Sequence, residues 1–221
     1  MKKNKTINTI RIYLIFSLAF YLLLCLGMWQ LNKHKIKKYN KSLIASEENQ
    51  KPNELLSLKK NISNFQTIMI KGDLLEDKTL FFEPRTHKGK VGYHLIVPLQ
   101  LGSEYVLVNR GFTLNKKKKE KDNIIENING FIIKFPKPKF FELENDLKND
   151  KWYSLNLEEI SDSLNINLEP YLIYETNNTS NGLVNVKPNT ISHINHLNYA
   201  ITWFMLAFTL AIILTIFVRK E

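Results

Sequence analysis

Cysteine is almost absent from this chain: Cys25 is the only one in 221 residues. Disulfide frameworks, zinc ribbons and CxxC redox pairs are therefore excluded, and Cys25, inside an apolar run, reads as a small packing residue. Arginine is scarce as well. Of 31 basic residues only Arg11, Arg85, Arg110 and Arg219 are arginine. Where lysine has taken nearly every basic position, a surviving guanidinium marks a place that needs a planar, two-pronged donor. Charge is missing altogether from two stretches, Ile12–Trp29 and Leu197–Val218. A nucleophile elbow, a P-loop, paired His-Glu metal spacing and a Gly-rich phosphate cradle are also missing, so the motifs point away from an enzyme.

The two uncharged stretches organise the rest. A helix rises about 1.5 Å per residue, so the second reaches about 33 Å and spans a hydrocarbon core of about 30 Å. The first, about 18 residues, is near the lower limit for a span and has Tyr13 and Trp29 as interfacial anchors. The expected organisation is a cytoplasmic N-terminus (1–11), a transmembrane helix (12–29), an extramembrane domain in the periplasm or intermembrane space (30–196), a second transmembrane helix (197–218) and a cytoplasmic C-terminus (219–221). Arg219 and Lys220 follow the second span directly and no Lys or Arg lies between Thr190 and Tyr199, which puts the C-terminus inside. Charge at the first span is ambiguous, because Lys33, Lys35, Lys37, Lys38 and Lys41 follow it as Lys2, Lys3, Lys5 and Arg11 precede it. A cleaved signal peptide is the competing reading of that span; the missing small-x-small cleavage site and the long apolar run favour a retained anchor.

The net charge of +10 and the block Lys116–Lys119 raise nucleic-acid binding. No base-stacking aromatic platform interleaves with the block, and the anchors hold the domain at a membrane. A solvated loop facing anionic lipid heads accounts for it.

Between the spans the pattern is that of an α+β domain with an antiparallel sheet or small barrel and flanking helices. Gln30–Ser46 continues the first helix, Pro52 ends it, and a short helix is expected over Glu54–Lys60. Strands are expected at Gln66–Lys71, Thr79–Glu83, Tyr93–Leu99, Tyr105–Asn109, Ile124–Phe135 and Tyr171–Glu175. Gly92–Gly111 reads as a hairpin turning at Leu101–Glu104 and forming the centre of the domain. Pro136 and Pro138 break the fifth strand, and a helix with Ser154 as its N-cap covers Ser154–Leu164.

Polar groups gather where the second span begins: Asn195, His196, Asn198, Tyr199 and Thr202, followed by Trp203. With helix starting near Ser192, His196, Ala200, Trp203, Ala207 and Ala211 share a face, an imidazole above an aromatic plate and a row of small residues. That row suits helix packing or a flat ligand. His196 reads either as an interfacial polar residue hydrogen-bonded to a neighbour or as a neutral-nitrogen ligand of haem iron at the bilayer edge. Tyr199 and Trp203 are belt aromatics in the first case and flank the ligand in the second. His193 would share a metal with His196 if both are helical; His34, His87 and His94 are scattered and structural or exposed. Arg85 and Arg110 each follow a strand, and pair either with internal carboxylates or with a partner's carboxylates or haem propionates.

Four motifs occur in order: Gly27-x-Trp29-Gln30-Leu31; Gly92-Tyr93-His94 with Pro98-Leu99; Val108-Asn109-Arg110-Gly111; and Asn195-His196-Leu197-x-Tyr199-Ala200-x-Thr202-Trp203-Phe204. Together they resemble the surfeit-locus family of cytochrome c oxidase assembly proteins, over nearly the full length. The resemblance implies a bacterial or mitochondrial inner-membrane protein that assists haem a delivery to the oxidase's catalytic subunit, without turnover chemistry. It implies His196 as haem ligand, and as partners that catalytic subunit, haem a synthase and membrane lipid, with no nucleic acid. Lys33, Phe112 and Asn198 stand where the family usually has Arg, Trp and Gln. Of these, Phe112 loses an indole donor, so a hydrogen bond from this position to a partner is not available. Two readings outside haem delivery remain: a scaffold that holds an oxidase intermediate without touching haem, and a two-span sensor with an external ligand domain.

Overall fold

The computed structural model describes residues 2–55, 62–117, 124–137, 141–178, 182–188 and 195–220. The chain divides into two compact units, Met1–Lys41 with Ser192–Glu221, and Ser42–Ile191. The first is built from α1 (Lys2–Glu48), whose last turns belong to the second unit, and from a C-terminal helix (His196–Lys220). Both helices are long and apolar enough to cross a membrane. Leu14, Ile15, Leu18 and Tyr21 of the first and Ile201, Met205 and Phe208 of the second stay exposed. Apolar surface left uncovered along whole helices calls for lipid rather than water as solvent.

The second unit holds β1 (Asn53–Leu55), β2 (Gln66–Leu74), β3 (Leu80–His87), β4 (Lys90–Leu101), β5 (Glu104–Thr113), β6 (Ile124–Lys134), α2 (Leu157–Leu164) and β7 (Leu168–Glu175); the C-terminal helix is α3. Neighbouring strands run β2-β6-β7-β5-β4, and β4 pairs back on β2 at Leu74–Leu99, which closes five strands into a barrel. β3 extends the sheet from β4 and β1 from β2. Of the two forms expected, an open antiparallel sheet or a small barrel, the chain takes the barrel, with β5–β7 and β1–β2 parallel.

Period-two alternation builds the interior. Val97 faces Val108, Leu99 faces Val106, and Val108 and Ile132 both face Ile173 across their ladders. These residues, with Ile68, Ile70, Leu74 and Ile128, form one buried cluster. The alternate residues Ile96, Leu107 and Leu172 point outward and are covered by Trp152, Leu155 and Ile160. The predicted hairpin is present as β4 and β5, turning at Gly102 (φ +61°). The end of α1 packs on the barrel through Ile44 against Phe65 and Phe131, and Thr67 N–H donates to Glu47 Oε2 at 3.1 Å.

Two expectations need correcting. Glu54 and Leu55 are strand, paired in parallel with Met69 and Ile70, where a helix over Glu54–Lys60 was expected; the remainder of that helix lies outside the described residues. The N-cap of α2 is Asn156, not Ser154: Asn156 Oδ1 accepts the N–H of Glu158 and Glu159, whereas Ser154 is buried with its N–H on Asn145 Oδ1. Asn156→Ala is expected to cost about 1 kcal/mol, read as a lowered urea midpoint with an unchanged slope. An unaltered midpoint would return the cap to another group.

Candidate functional site

The first polar side chains of α3 meet α1 at one point. His196 Nδ1 lies 2.7 Å from Gln30 Oε1. A carbonyl oxygen only accepts, so Nδ1 donates, and in the neutral ring Nε2 is then the bare nitrogen. Three residues earlier on α1, Gly27 is buried under the Phe204 ring; a Cβ at Gly27 would stand 2.5 Å from a ring carbon. Glycine is required there for the close approach. Ala200 and Ala207 are fully covered, while His196, Trp203 and Ala211 are half-buried, so the face read from the sequence exists and its small-residue row is spent on helix packing. Tyr199, three residues after His196 and four before Trp203, is largely exposed at the edge of that face. At the boundary, Lys33 Nζ lies 5.8 Å from the centre of the Trp29 ring. His193 lies outside the described residues, and among the described residues no group of three His, Cys, Asp or Glu is placed to hold a metal ion.

Arg85 and Arg110 lie in the second unit, and the structure gives them different surroundings. Arg110 follows Val106 and Val108 in the inward-facing row of β5, and Glu175 likewise follows Tyr171 and Ile173 in β7. Its Nε donates to Glu175 Oε2 at 3.0 Å, Nη1 to Glu76 Oε1 at 2.9 Å and Nη2 to Glu126 Oε2 at 2.7 Å. It is 3% exposed. The reading of Arg110 as a binder of propionates or of a partner's carboxylate is thereby corrected: its guanidinium fork is an internal plug at the barrel mouth, beside a cavity of about 250 Å³ lined in part by Glu76, Thr79 and Thr113. Burial raises the Glu175 carboxyl above its ordinary range, against the pull of Arg110.

Arg85 stays half-exposed. Its guanidinium carbon stacks 3.3 Å from the centre of the Phe82 ring, Nη1 donates to Pro84 O, and Nε is buried with no hydrogen-bond partner among the described residues. Burial lowers its pKa. Facing it is a group the sequence showed only as scattered residues. His94 is 3% exposed, edge-on to Phe82 and Phe112, with Nδ1 3.2 Å from Asn109 Nδ2. Asn109 Oδ1 already accepts Gly111 N–H, so its amide donates and Nδ1 of His94 accepts. Burial first, then the charges of Arg85 and His87, push His94 down to about 4. Burial also pushes the nearby Tyr174 phenol up to about 12. The strand register, Phe82 opposite His94 and His94 opposite Phe112, assembles this group, and hydropathy carries no signal for it. Gln30 was within a recognised motif but had no role until its partner was seen.

A closed five-strand barrel flanked in sequence by two bilayer-length helices, hydrogen-bonded to each other through an amide and an imidazole, defines a membrane-anchored β-domain protein. Residues 17–208 match the SURF1 family, and the chain belongs to that family. A SURF1-like protein of Rickettsia bellii is 31% identical over 221 aligned residues, covering 92% of this chain and 89% of that protein. A SURF1-like protein of Dictyostelium discoideum is 25% identical over 277 residues, covering 100% and 99% of the two. Surfeit locus protein 1 of Gallus gallus is 26% identical over 210 residues, covering 81% and 66%. The family expected from the four motifs is the family found.

Proposed function

We propose that this protein is an assembly factor for cytochrome c oxidase that assists delivery or insertion of haem a into the catalytic subunit. The observation that carries this reading is His196, set at the first turn of a bilayer-length helix with Nδ1 donating to Gln30, so that in the neutral ring Nε2 is the ligand nitrogen. A neutral imidazole with a fixed tautomer is the donor that haem iron takes as an axial ligand, so the residue present fits the group. Tyr199 and Trp203, on the same turns, would flank it. His196 would hold the haem through its neutral nitrogen, the group would supply an iron centre as cargo for delivery, and the protein on this reading is not an enzyme. Of the two arginines of the barrel domain, Arg110 is held by Glu175, while Arg85 Nε has no hydrogen-bond partner among the described residues and remains open to an anionic group. The catalytic subunit of the oxidase, haem a synthase and membrane lipid are the partners of this reading. Its location is a bacterial or mitochondrial inner membrane, with both termini on the cytoplasmic or matrix side.

One observation favours a second reading, a scaffold that stabilises an oxidase intermediate without touching haem: the small-residue row that would seat a flat ligand is already filled by the packing of α1 on α3. The full-length protein in detergent, titrated with haem, separates the two. On the haem reading His196→Ala abolishes the shifted Soret band seen with the wild type. An identical spectrum for the two proteins would overturn it in favour of the scaffold.

A further inference from the structure

We infer that Gln30 is a positioning residue for His196: it fixes which ring nitrogen is offered to a metal and holds the strength of that bond low enough for release. The inference rests on the ligand reading of His196 and deepens it. Three features of the structure carry it. First, the 2.7 Å contact from Nδ1 to Gln30 Oε1 bridges α1 and α3, so it is independent of the local geometry of either helix. Second, Gln30 sits one turn from Gly27, where the Phe204 ring fixes the separation of the two helices, so the amide and the imidazole are held at hydrogen-bond distance by packing. Third, Gln30 and His196 are both half-buried, which shelters the hydrogen bond from competing water.

The chemical consequence follows from what accepts the Nδ1 proton. A carboxylate in that position draws the proton toward itself, makes the imidazole more basic and strengthens its bond to a metal. An amide carbonyl orients the ring to the same degree but carries no charge, so it adds less basicity than a carboxylate does. An apolar residue does neither, and the ring is free to present either nitrogen. Gln30 therefore gives an oriented but weakly donating ligand. That combination suits a site that accepts an iron porphyrin and then surrenders it. The ligand class it predicts is a metalloporphyrin bound through one neutral nitrogen, with exchange in place of storage.

The test uses the full chain in detergent or nanodiscs with iron protoporphyrin as probe. It compares wild type, Gln30→Leu, Gln30→Glu and His196→Ala by equilibrium titration and by the iron–histidine stretching band of the ferrous form. Gln30→Leu is expected to weaken binding by about 10- to 100-fold, the range for loss of a group that orients a metal ligand. Gln30→Glu is expected to tighten it, slow its release and raise the stretching frequency. A residue that only holds the helices together would weaken binding in both variants and leave the stretching frequency of the bound fraction unmoved. That result overturns the inference, as does equal affinity across wild type and both Gln30 variants while His196→Ala abolishes binding. Wild type indistinguishable from His196→Ala overturns the underlying haem reading itself, and the inference with it.

Discussion

Arg110→Ala will destabilise the barrel domain by about 3–5 kcal/mol, the cost of removing one member of a buried ion cluster and leaving its carboxylates without that counter-ion. Glu76 and Glu175 are 5% and 2% exposed and Glu126 is partly buried, so three carboxylates at the barrel mouth would lose their common counter-ion. The measurement is a thermal or guanidinium denaturation of the full chain in detergent. The pH dependence gives a second signature. Carboxylates buried without a cation have folded pKa values above their unfolded ones, so what stability they contribute is present in acid and is lost as pH rises through the folded values. The deficit of the variant is therefore expected to shrink as pH falls through the carboxylate range. Glu175 is already raised in the intact cluster, so its titration acts in this direction in the wild type as well. Arg110→Lys keeps a charge but not the three-way fork, and should recover only part of the loss. A melting temperature for Arg110→Ala equal to wild type would refute the assignment of this arginine as the barrel's plug.

The second large effect is acid sensitivity set by His94. Its folded pKa is about 4, below the unfolded value near 6.5. A depressed folded pKa contributes stability that is present above the unfolded value and is lost as pH falls toward the folded one. Between pH 6.5 and 4 the domain should accordingly lose about 3 kcal/mol from this residue. Charging the ring would place an imidazolium between Arg85 and His87, and would turn Nδ1 from acceptor to donor against the amide of Asn109. His94→Gln retains an acceptor for that amide and cannot titrate, so the part of the fall due to His94 should vanish, leaving the opposite trend of Glu175 and the acid-side loss from Asp146. Stability-against-pH curves that run parallel for wild type and His94→Gln would remove His94 as the cause.

Much of this architecture was legible because it is written in local periods. Two uncharged runs of bilayer length gave the helices, and alternation in Tyr93–Leu99, Tyr105–Asn109 and Tyr171–Glu175 gave strands with one buried row each. Where the reading failed, a distant group had won. Asn53–Leu55 is strand because Ile68–Ile70 offers it a ladder, a choice no window of seven residues reveals. Asn156 rather than Ser154 caps α2 because the Ser154 N–H is held by Asn145, nine residues upstream. Both residues are good caps by type, and position alone decided.

The candidate site divides along the same line. The sequence by itself determined that His196 stands on the first turn of an apolar helix with Ala200, Trp203 and Ala207 on its face, since spacing of 3.6 residues is a property of the helix alone. It determined also that Arg85 and Arg110 are exceptional among lysines. Only the tertiary structure decided what those side chains meet. Closure of β4 on β2 and the parallel pairing of β5 with β7 bring Glu76, Glu126 and Glu175 around Arg110, and the approach of α1 to α3 brings Gln30 to His196. A side chain's direction follows from local backbone geometry, whereas its partner follows from contacts between segments up to 166 residues apart, and these exist only once the chain has closed on itself.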